Sequence, residues 1–272
     1  MNLLCPLQAT IKNFLLAASV VTLAAGAAKA GTPAEVPVTT PPPPPFFSGT
    51  LSLLMDTHFV SYGQDIWGAG QSWEDPLFHP SLALNFNLTN NFTFFVGSWM
   101  DINDNNESNS SLGNRVQETD VWAGISYTVD KLKFTLINQY WNYGGNTEKI
   151  IDFRIDYAGM LNPYLLLHGR FDRGAAVNFG EGLVVQVGIN PTTELGPVIL
   201  SMPIALSYDT YDYHGGQAGF GFASAGLGAT LPISKHVSLT ASVDYFYTND
   251  NVIVTNPDEG FIRGRAGVVI SF

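Results

Sequence analysis

Cysteine is almost missing from this 272-residue chain; the single one is Cys5. It lies within the first thirty residues, too early for a lipoprotein cleavage site. The rest of the chain therefore has no disulfide and no cysteine-based metal site, and draws its stability from elsewhere. Charged residues are also few, at 13%, but hydrophobic ones reach 46%, which excludes a disordered chain. Bases are scarcer than acids, 12 against 23. Such an acidic chain is a poor partner for nucleic acid. After residue 30 no apolar run approaches the roughly twenty residues that a membrane-spanning helix needs.

The chain has three compositional regions. Residues 1–30 read as a signal peptide: Lys12 supplies a positive start, Phe14 to Gly26 is an apolar stretch, and Ala28-Lys29-Ala30 is a small-x-small cleavage site. Its removal takes Lys12 and Lys29 and no acid, so the formal charge goes from −11 to −13. Residues 31–46 hold the proline run Pro41 to Pro45, which cannot pair into a sheet and favours polyproline II. They read as a periplasmic tether. Residues 47–272 alternate with period two, the signature of strands.

The alternation is clearest in three places. Leu82, Leu84, Phe86 and Leu88 oppose Ala83, Asn85 and Asn87. Ile151, Phe153, Ile155 and Tyr157 oppose Asp152, Arg154 and Asp156. Val237, Leu239, Ala241, Val243 and Tyr245 oppose Ser238, Thr240, Ser242 and Asp244. Segments near ten residues, with ionised groups on one face and apolar groups on the other, suit lipid outside and water inside. Twelve are predicted: 49–61, 81–88, 92–102, 119–128, 132–142, 149–158, 163–172, 183–190, 198–209, 219–231, 236–247 and 261–272. An all-β, transmembrane antiparallel barrel of about twelve strands follows.

Connection lengths support this. The links after segments two, four and ten are short, whereas those after one, three and eleven are long and polar. A barrel with periplasmic turns and outer loops has this parity, with both ends of the chain in the periplasm. The terminus Arg265-x-Gly267-x-x-Ile270-x-Phe272 resembles the signal that the outer-membrane assembly machinery reads. Phe92, Tyr127, Tyr140, Tyr157, Tyr208 and Tyr245 fall near segment ends on the apolar face, as interfacial girdle residues do.

Ser61-Tyr62-Gly63, His79-Pro80-Ser81, Gly97-Ser98-Trp99 and Glu118-Thr119-Asp120 give residues 49–145 a resemblance to the TorF-like group of outer-membrane porins, with Tyr62 where that group often has Arg. The resemblance implies a short barrel and passive uptake through a pore.

Projecting the alternation places Asp56, Asp101, Asp120, Asp152, Asp156, Asp172 and Asp244 inside. Lys133, Arg154, Arg170, Arg263, Arg265, His58, His168 and His236 join them. Phe95, Trp99, Trp122, Trp141, Phe222 and Phe246 also project inward, which predicts a constricted lumen or stacking surfaces for a sugar or planar ligand. Asp120, Trp122, Asp152, Arg154, Asp156, Arg170 and Arg265 are the expected pore lining, acting by field and filter and not by catalysis. Salt-bridged pairs that merely fill a plugged interior are the competing expectation. The acidic loops, including Asp65, Glu74, Asp75, Asp104, Glu107, Glu181, Asp209, Asp212, Asp258 and Glu259, read as solvated and bridged to lipopolysaccharide.

Asp101-Ile102-Asn103-Asp104-Asn105 starts like a calcium loop but fails at Asn106 and Leu112, so no metal and no cofactor is expected. A lipid hydrolase would need a Ser–His pair at the outer rim, and no short motif supplies one. The expected function is a channel for passive diffusion of small hydrophilic solutes in the outer membrane of a Gram-negative cell, in contact with its lipid. The alternatives are a non-conducting structural or adhesive barrel and, behind it, the hydrolase.

Overall fold

Period-two alternation with no helix signal commits these residues to strands, and a sheet with an apolar outer face and a polar inner one closes on itself to leave no open edge. The computed structural model describes residues 44–68, 72–105, 115–143, 146–174, 180–210 and 212–272. The expected signal peptide and the tether up to residue 43 lie outside the described residues, as does Glu107.

In chain order the strands are β1 (Phe47–Asp56), β2 (Val60–Ser61), β3 (Gln64–Asp65), β4 (Leu77–Asn87), β5 (Phe92–Ile102), β6 (Val116–Val129), β7 (Leu132–Tyr143) and β8 (Asn146–Tyr157). They continue with β9 (Tyr164–Asp172), β10 (Gly182–Ile189), β11 (Thr192–Leu195), β12 (Val198–Ser201), β13 (Ile204–Asp209), β14 (Gly219–Pro232), β15 (Val237–Thr248) and β16 (Gly260–Ser271). Twelve of them form the wall: β1, β4 to β10 and β13 to β16, each antiparallel to its neighbours. The ring closes where β1 pairs with β16, from Thr50↔Ser271 to Asp56↔Arg265.

The long connections, 57–76, 103–115, 173–181, 210–218 and 249–259, share one end of the barrel; 88–91, 130–131, 158–163 and 233–236 share the other. Two features depart from the expected map. The first wall strand stops at Asp56 instead of reaching residue 61, because the chain turns inward there. The expected strand 198–209 is broken at Met202-Pro203, since Pro203 has no N–H to give the ladder. Its first part, β12, still pairs with β14 and also forms a hairpin with β11 at the short-turn end.

Outward side chains are apolar and exposed, among them Val121, Ile125, Leu136, Leu206, Leu227 and Val243. Withdrawing one Val or Leu from water is worth roughly 1.5–3 kcal/mol. Six such residues thus match the whole net stability of a typical domain, about 5–15 kcal/mol. An outer face built this way belongs in an apolar medium. Tyr127 and Tyr157 lie toward the short-turn end of this belt, and Tyr140, Tyr208 and Tyr245 toward the long-loop end. At the seam, the Phe272 ring lies over Gly49, where a Cβ would overlap it, and beside Phe47 at a ring-centre distance of 6.2 Å.

Candidate functional site in the barrel lumen

The first long connection does not stay in solvent. Residues 60–65 make a two-stranded hairpin, Val60↔Asp65 and Ser61↔Gln64, that descends into the barrel. Its two-residue turn needs positive φ at both central positions, which Gly63 supplies easily at 91° and Tyr62 adopts at 48°. The hairpin bridges two parts of the wall that are four strands apart in the ring. On one side Phe59 meets Trp99 at 4.9 Å and His79 at 5.6 Å between ring centres. On the other side Tyr62 stacks on His168 at 3.6 Å and donates its hydroxyl to Asp152 Oδ2 at 3.3 Å.

Two further connections hold this plug. Asn256 donates to the Gly63 carbonyl at 2.9 Å and accepts from the Asp65 amide at 2.8 Å. Val252 and Ile253 join Ala205, Phe222 and Phe246 in an apolar cluster inside the barrel. From the connection 210–218, Tyr213 bonds through its hydroxyl to His168 Nε2, while Arg170 donates to the Tyr213 carbonyl at 2.7 Å and lies 4.1 Å from its ring centre. Burial, together with the Asp152 charge, raises the Tyr62 phenol well above its ordinary value; burial likewise raises Tyr213. Both phenols therefore stay protonated and able to donate.

Nearly every inward ionised group is paired. His79 reaches Asp56 at 2.8 Å and Asp101 at 3.1 Å through its two ring nitrogens. An imidazole that donates to two carboxylates carries both protons and a positive charge. Arg265 also bonds Asp56, at 2.7 Å, and Trp67 donates to Asp101 at 2.8 Å. His168 gives Nδ1 to Asp152 at 2.6 Å, and Gln139 donates to the same carboxylate at 2.7 Å. Arg170 pairs with Glu148 at 2.5 Å, Arg154 with Asp156 at 2.7 Å and Arg263 with Asp244 at 2.9 Å. Arg154 also lies 4.0 Å from the Tyr164 ring centre.

Two cavities remain. One, of about 390 Å³, opens toward the long-loop end beside Glu148, Arg170 and His214. The other, of about 470 Å³, lies beside Asp120, Gln139, Tyr164 and Arg265. They share Phe59 and Ser61 on the plug and Glu118 and Trp141 on the wall.

Of the expected lining, Asp120 and Arg265 border the second cavity and Arg170 borders the first. Asp152 is buried in the plug contact, and Arg154 with Asp156 forms a half-buried pair on β8. Trp122 packs over Gly97 of the neighbouring strand, where any Cβ would strike its ring. Three inward expectations are corrected. Asp172 is at the exposed rim, paired with Lys149 at 2.7 Å across a β-bulge. His236 sits in a short turn and bonds the Ser271 carbonyl. His58 is inside, but in the plug and not in the wall, bonded to Asp65 at 2.9 Å. Lys133 is exposed near the short-turn end.

Two acids expected in solvated loops, Asp65 and Asp209, are buried, Asp209 against His214 at 2.6 Å. Trp99, Trp141 and Phe222, offered as stacking surfaces, are taken up by Phe59, Tyr62 and the apolar cluster. Sequence reasoning missed Tyr62, Glu118, Glu148, Tyr213 and His214 as lumen residues. Glu118 and Glu148 were findable, since each continues the inward alternation one step beyond the expected strand start. The four short marks of the TorF-like resemblance converge here: they supply the plug tip, His79, Trp99 and the Glu118–Asp120 wall.

No protein-family model matches the sequence, and no curated protein matches it, so that resemblance stands on its short marks alone. Solved structures of similar fold are outer-membrane barrels. The KdgM porin in complex with disordered oligogalacturonate shares 12% identity, with 83% of this chain and 99% of that one covered and a TM-score of 0.47. The NanC porin shares 11%, covering 81% and 98%, with a TM-score of 0.48. Outer membrane phospholipase A from Escherichia coli shares 16%, covering 82% and 92%, with a TM-score of 0.42. Likeness at this level concerns architecture and carries nothing about substrate.

Proposed function

We propose that the chain is an outer-membrane channel that passes small hydrophilic solutes by passive diffusion around an internal plug. The observation that carries this reading is the pair of cavities beside the plug, which share Phe59 and Ser61 on the hairpin and Glu118 and Trp141 on the wall. A barrel filled only for stability would have no use for space left on both sides of its plug. Asp120, Arg170 and Arg265 line the route; Asp152, by holding Tyr62, sets how wide it is; Trp122, Arg154 and Asp156 shape the wall below. The outer-membrane location rests on the apolar belt and the loop parity. The terminal pattern of Arg265, Gly267, Ile270 and Phe272 is offered to the assembly machinery, and the loops to lipopolysaccharide. Loss of inserted barrel in a Phe272→Ala variant would support the first of these partners, and unchanged yield would remove it.

The test is single-channel recording of the refolded protein in a planar bilayer. Discrete steps, altered in Asp152→Asn, support the channel. A correctly folded barrel that gives no steps supports the second reading, a closed structural barrel, for which the contacts of Tyr62 speak. Catalysis has less support. Ser207 and His214 both bind Asp209, but the Ser207 hydroxyl donates to that carboxylate at 3.1 Å and accepts from the Phe222 amide at 2.9 Å. A nucleophile needs that proton directed at a base instead.

A further inference from the structure

The connection between β1 and β4 touches both faces of the wall. Its hairpin is inside, and Trp67 reaches in to Asp101. Trp73, farther along the same connection, lies outside. Arg263 and Arg265 face the lumen, so Gly264 between them faces out, and the Trp73 indole covers it. A Cβ on Gly264 would stand 2.8 Å from the six-membered ring and 3.4 Å from Nε1. Trp99, Trp122 and Trp141 project inward like Trp67. Of the five tryptophans, Trp73 alone is therefore on the outer face.

The place it covers is the point where the chain leaves the wall. Thr57, the first residue beyond β1, donates its amide to the Gly264 carbonyl at 2.9 Å. Its Oγ1 accepts from the Gly264 amide at 2.8 Å. From there the chain turns inward to His58 and the hairpin. Gly264 has no side chain of its own to shield these two bonds on the outer side, and the indole takes that place.

The surroundings of the ring are those of a membrane boundary. Gly264 is opposite Val243 and Ile262 is opposite Tyr245 in the β15–β16 ladder, and those three side chains are exposed in the long-loop part of the apolar belt. Trp73 continues that belt and is itself 54% exposed. The turn that carries it is fixed: the Asp75 amide donates to the Ser72 carbonyl at 3.2 Å, and the Glu74 amide to the Ser72 hydroxyl at 3.1 Å. Glu74 and Asp75 follow it directly and are exposed. Burial in hydrocarbon would strand those carboxylates, whereas water would leave half the indole wet. The layer between acyl chains and headgroups serves both, and it is where amphipathic rings collect.

We infer that Trp73 is a lipid anchor of the plug: its indole docks in the interfacial layer of the outer leaflet, and that contact pins the point at which the connection enters the lumen. This rests on the membrane reading of the barrel and is independent of whether solutes pass.

The test is the tryptophan emission of the refolded full chain in phosphatidylcholine vesicles whose acyl chains are brominated near the glycerol or near the tips. The unaltered protein should lose part of its emission to the shallow bromines and less to the deep ones, and Trp73→Phe should lose much less to either. In the same vesicles Trp73→Ala should raise hydrogen exchange of residues 57–65 several-fold. An inserted barrel with no loss to bromine, or with the same loss in Trp73→Phe, overturns the anchor. Quenching of Trp73 by aqueous iodide alone would put the ring in water, and shielding from both quenchers would mean that a second copy covers it; either result overturns the anchor too. Loss to bromine with unchanged exchange in Trp73→Ala overturns the hold on the plug. A chain that does not insert at all overturns the membrane reading beneath both.

Discussion

Tyr62 lies face to face with His168, ring centres 3.6 Å apart, while its own backbone occupies the left-handed region at φ 48°. A bulky residue in that region is unfavourable by order 1–3 kcal/mol, and persists where surrounding contacts over-determine it. Here those contacts are the stack on His168, the bond to Asp152 and the clamp by Asn256 on Gly63. Tyr62→Gly relaxes the turn and deletes the ring. The expected outcome is a wider route: larger or noisier single-channel steps than the unaltered protein. Tyr62→Phe keeps the stack and should lie between the two. Equal conductance in all three would mean that the hairpin tip does not set the width.

Alkaline pH should act on the same tip. Burial raises the phenols of Tyr62 and Tyr213, so the folded state favours their neutral form. A phenol freed by unfolding ionises near pH 10. The stabilisation is therefore fully present below about pH 10 and is lost as pH rises through the elevated folded values. Seating of the plug, read by protection of residues 57–65 from hydrogen exchange or by conductance, should weaken above that pH. Tyr62→Phe should flatten the response.

The ion pair of Arg170 and Glu148 is buried, yet both groups border the first cavity. Arg170→Gln strands Glu148 and also removes the bond to the Tyr213 carbonyl. Stranding a buried charge costs about 3–5 kcal/mol, and access to the cavity puts this site toward or below the lower figure. Urea unfolding in detergent or lipid, followed by tryptophan fluorescence, should show a lower midpoint with an unchanged slope. Arg170→Gln together with Glu148→Gln should recover part of the loss.

On the outer face, Val243 is exposed and Leu84 shares its apolar side of the wall. An arginine at the mid-depth of such a belt costs roughly 2–4 kcal/mol. Leu84→Arg and Val243→Arg should lower the yield of inserted barrel and reduce heat-modifiable migration on gels. If both variants insert normally, the inward and outward assignment of those strands is wrong.

The wall was legible because lipid outside and water inside impose opposite chemistry on alternate residues. Ten of the twelve expected segments match one wall strand; 49–61 overruns β1 into the plug, and 198–209 carries the Pro203 break. The plug was not legible, and the reason is physical. Residues 57–61 hold Thr57, Phe59 and Val60, types that suit a strand, with no Gly or Pro until Gly63, so no turn residue marks where the wall ends and the plug begins. The turn at Tyr62-Gly63 carried a glycine, but its tyrosine is an unusual residue for that position and hid the signal. For Tyr213 and His214 nothing local separates a loop that folds inward from one that stays in solvent. Asp65 and Asp209 were misread on the same ground: an acid in a loop is solvated unless a histidine arrives from elsewhere in the chain to meet it.

The seam between β1 and β16 joins the two ends of the folded chain, and the plug springs from β1 directly. Its clamp, Asn256, belongs to the connection that leads into β16 and is 191 residues from Asp65. Contacts of such long sequence separation form late, after most of the loop entropy has been lost. The Asn256 clamp and the closing of the cylinder therefore belong to the same stage of folding. A chain stalled before its last strand arrives would hold its plug by Phe59 and Tyr62 alone, in an open trough, so the finished barrel fastens its plug fully only as it closes.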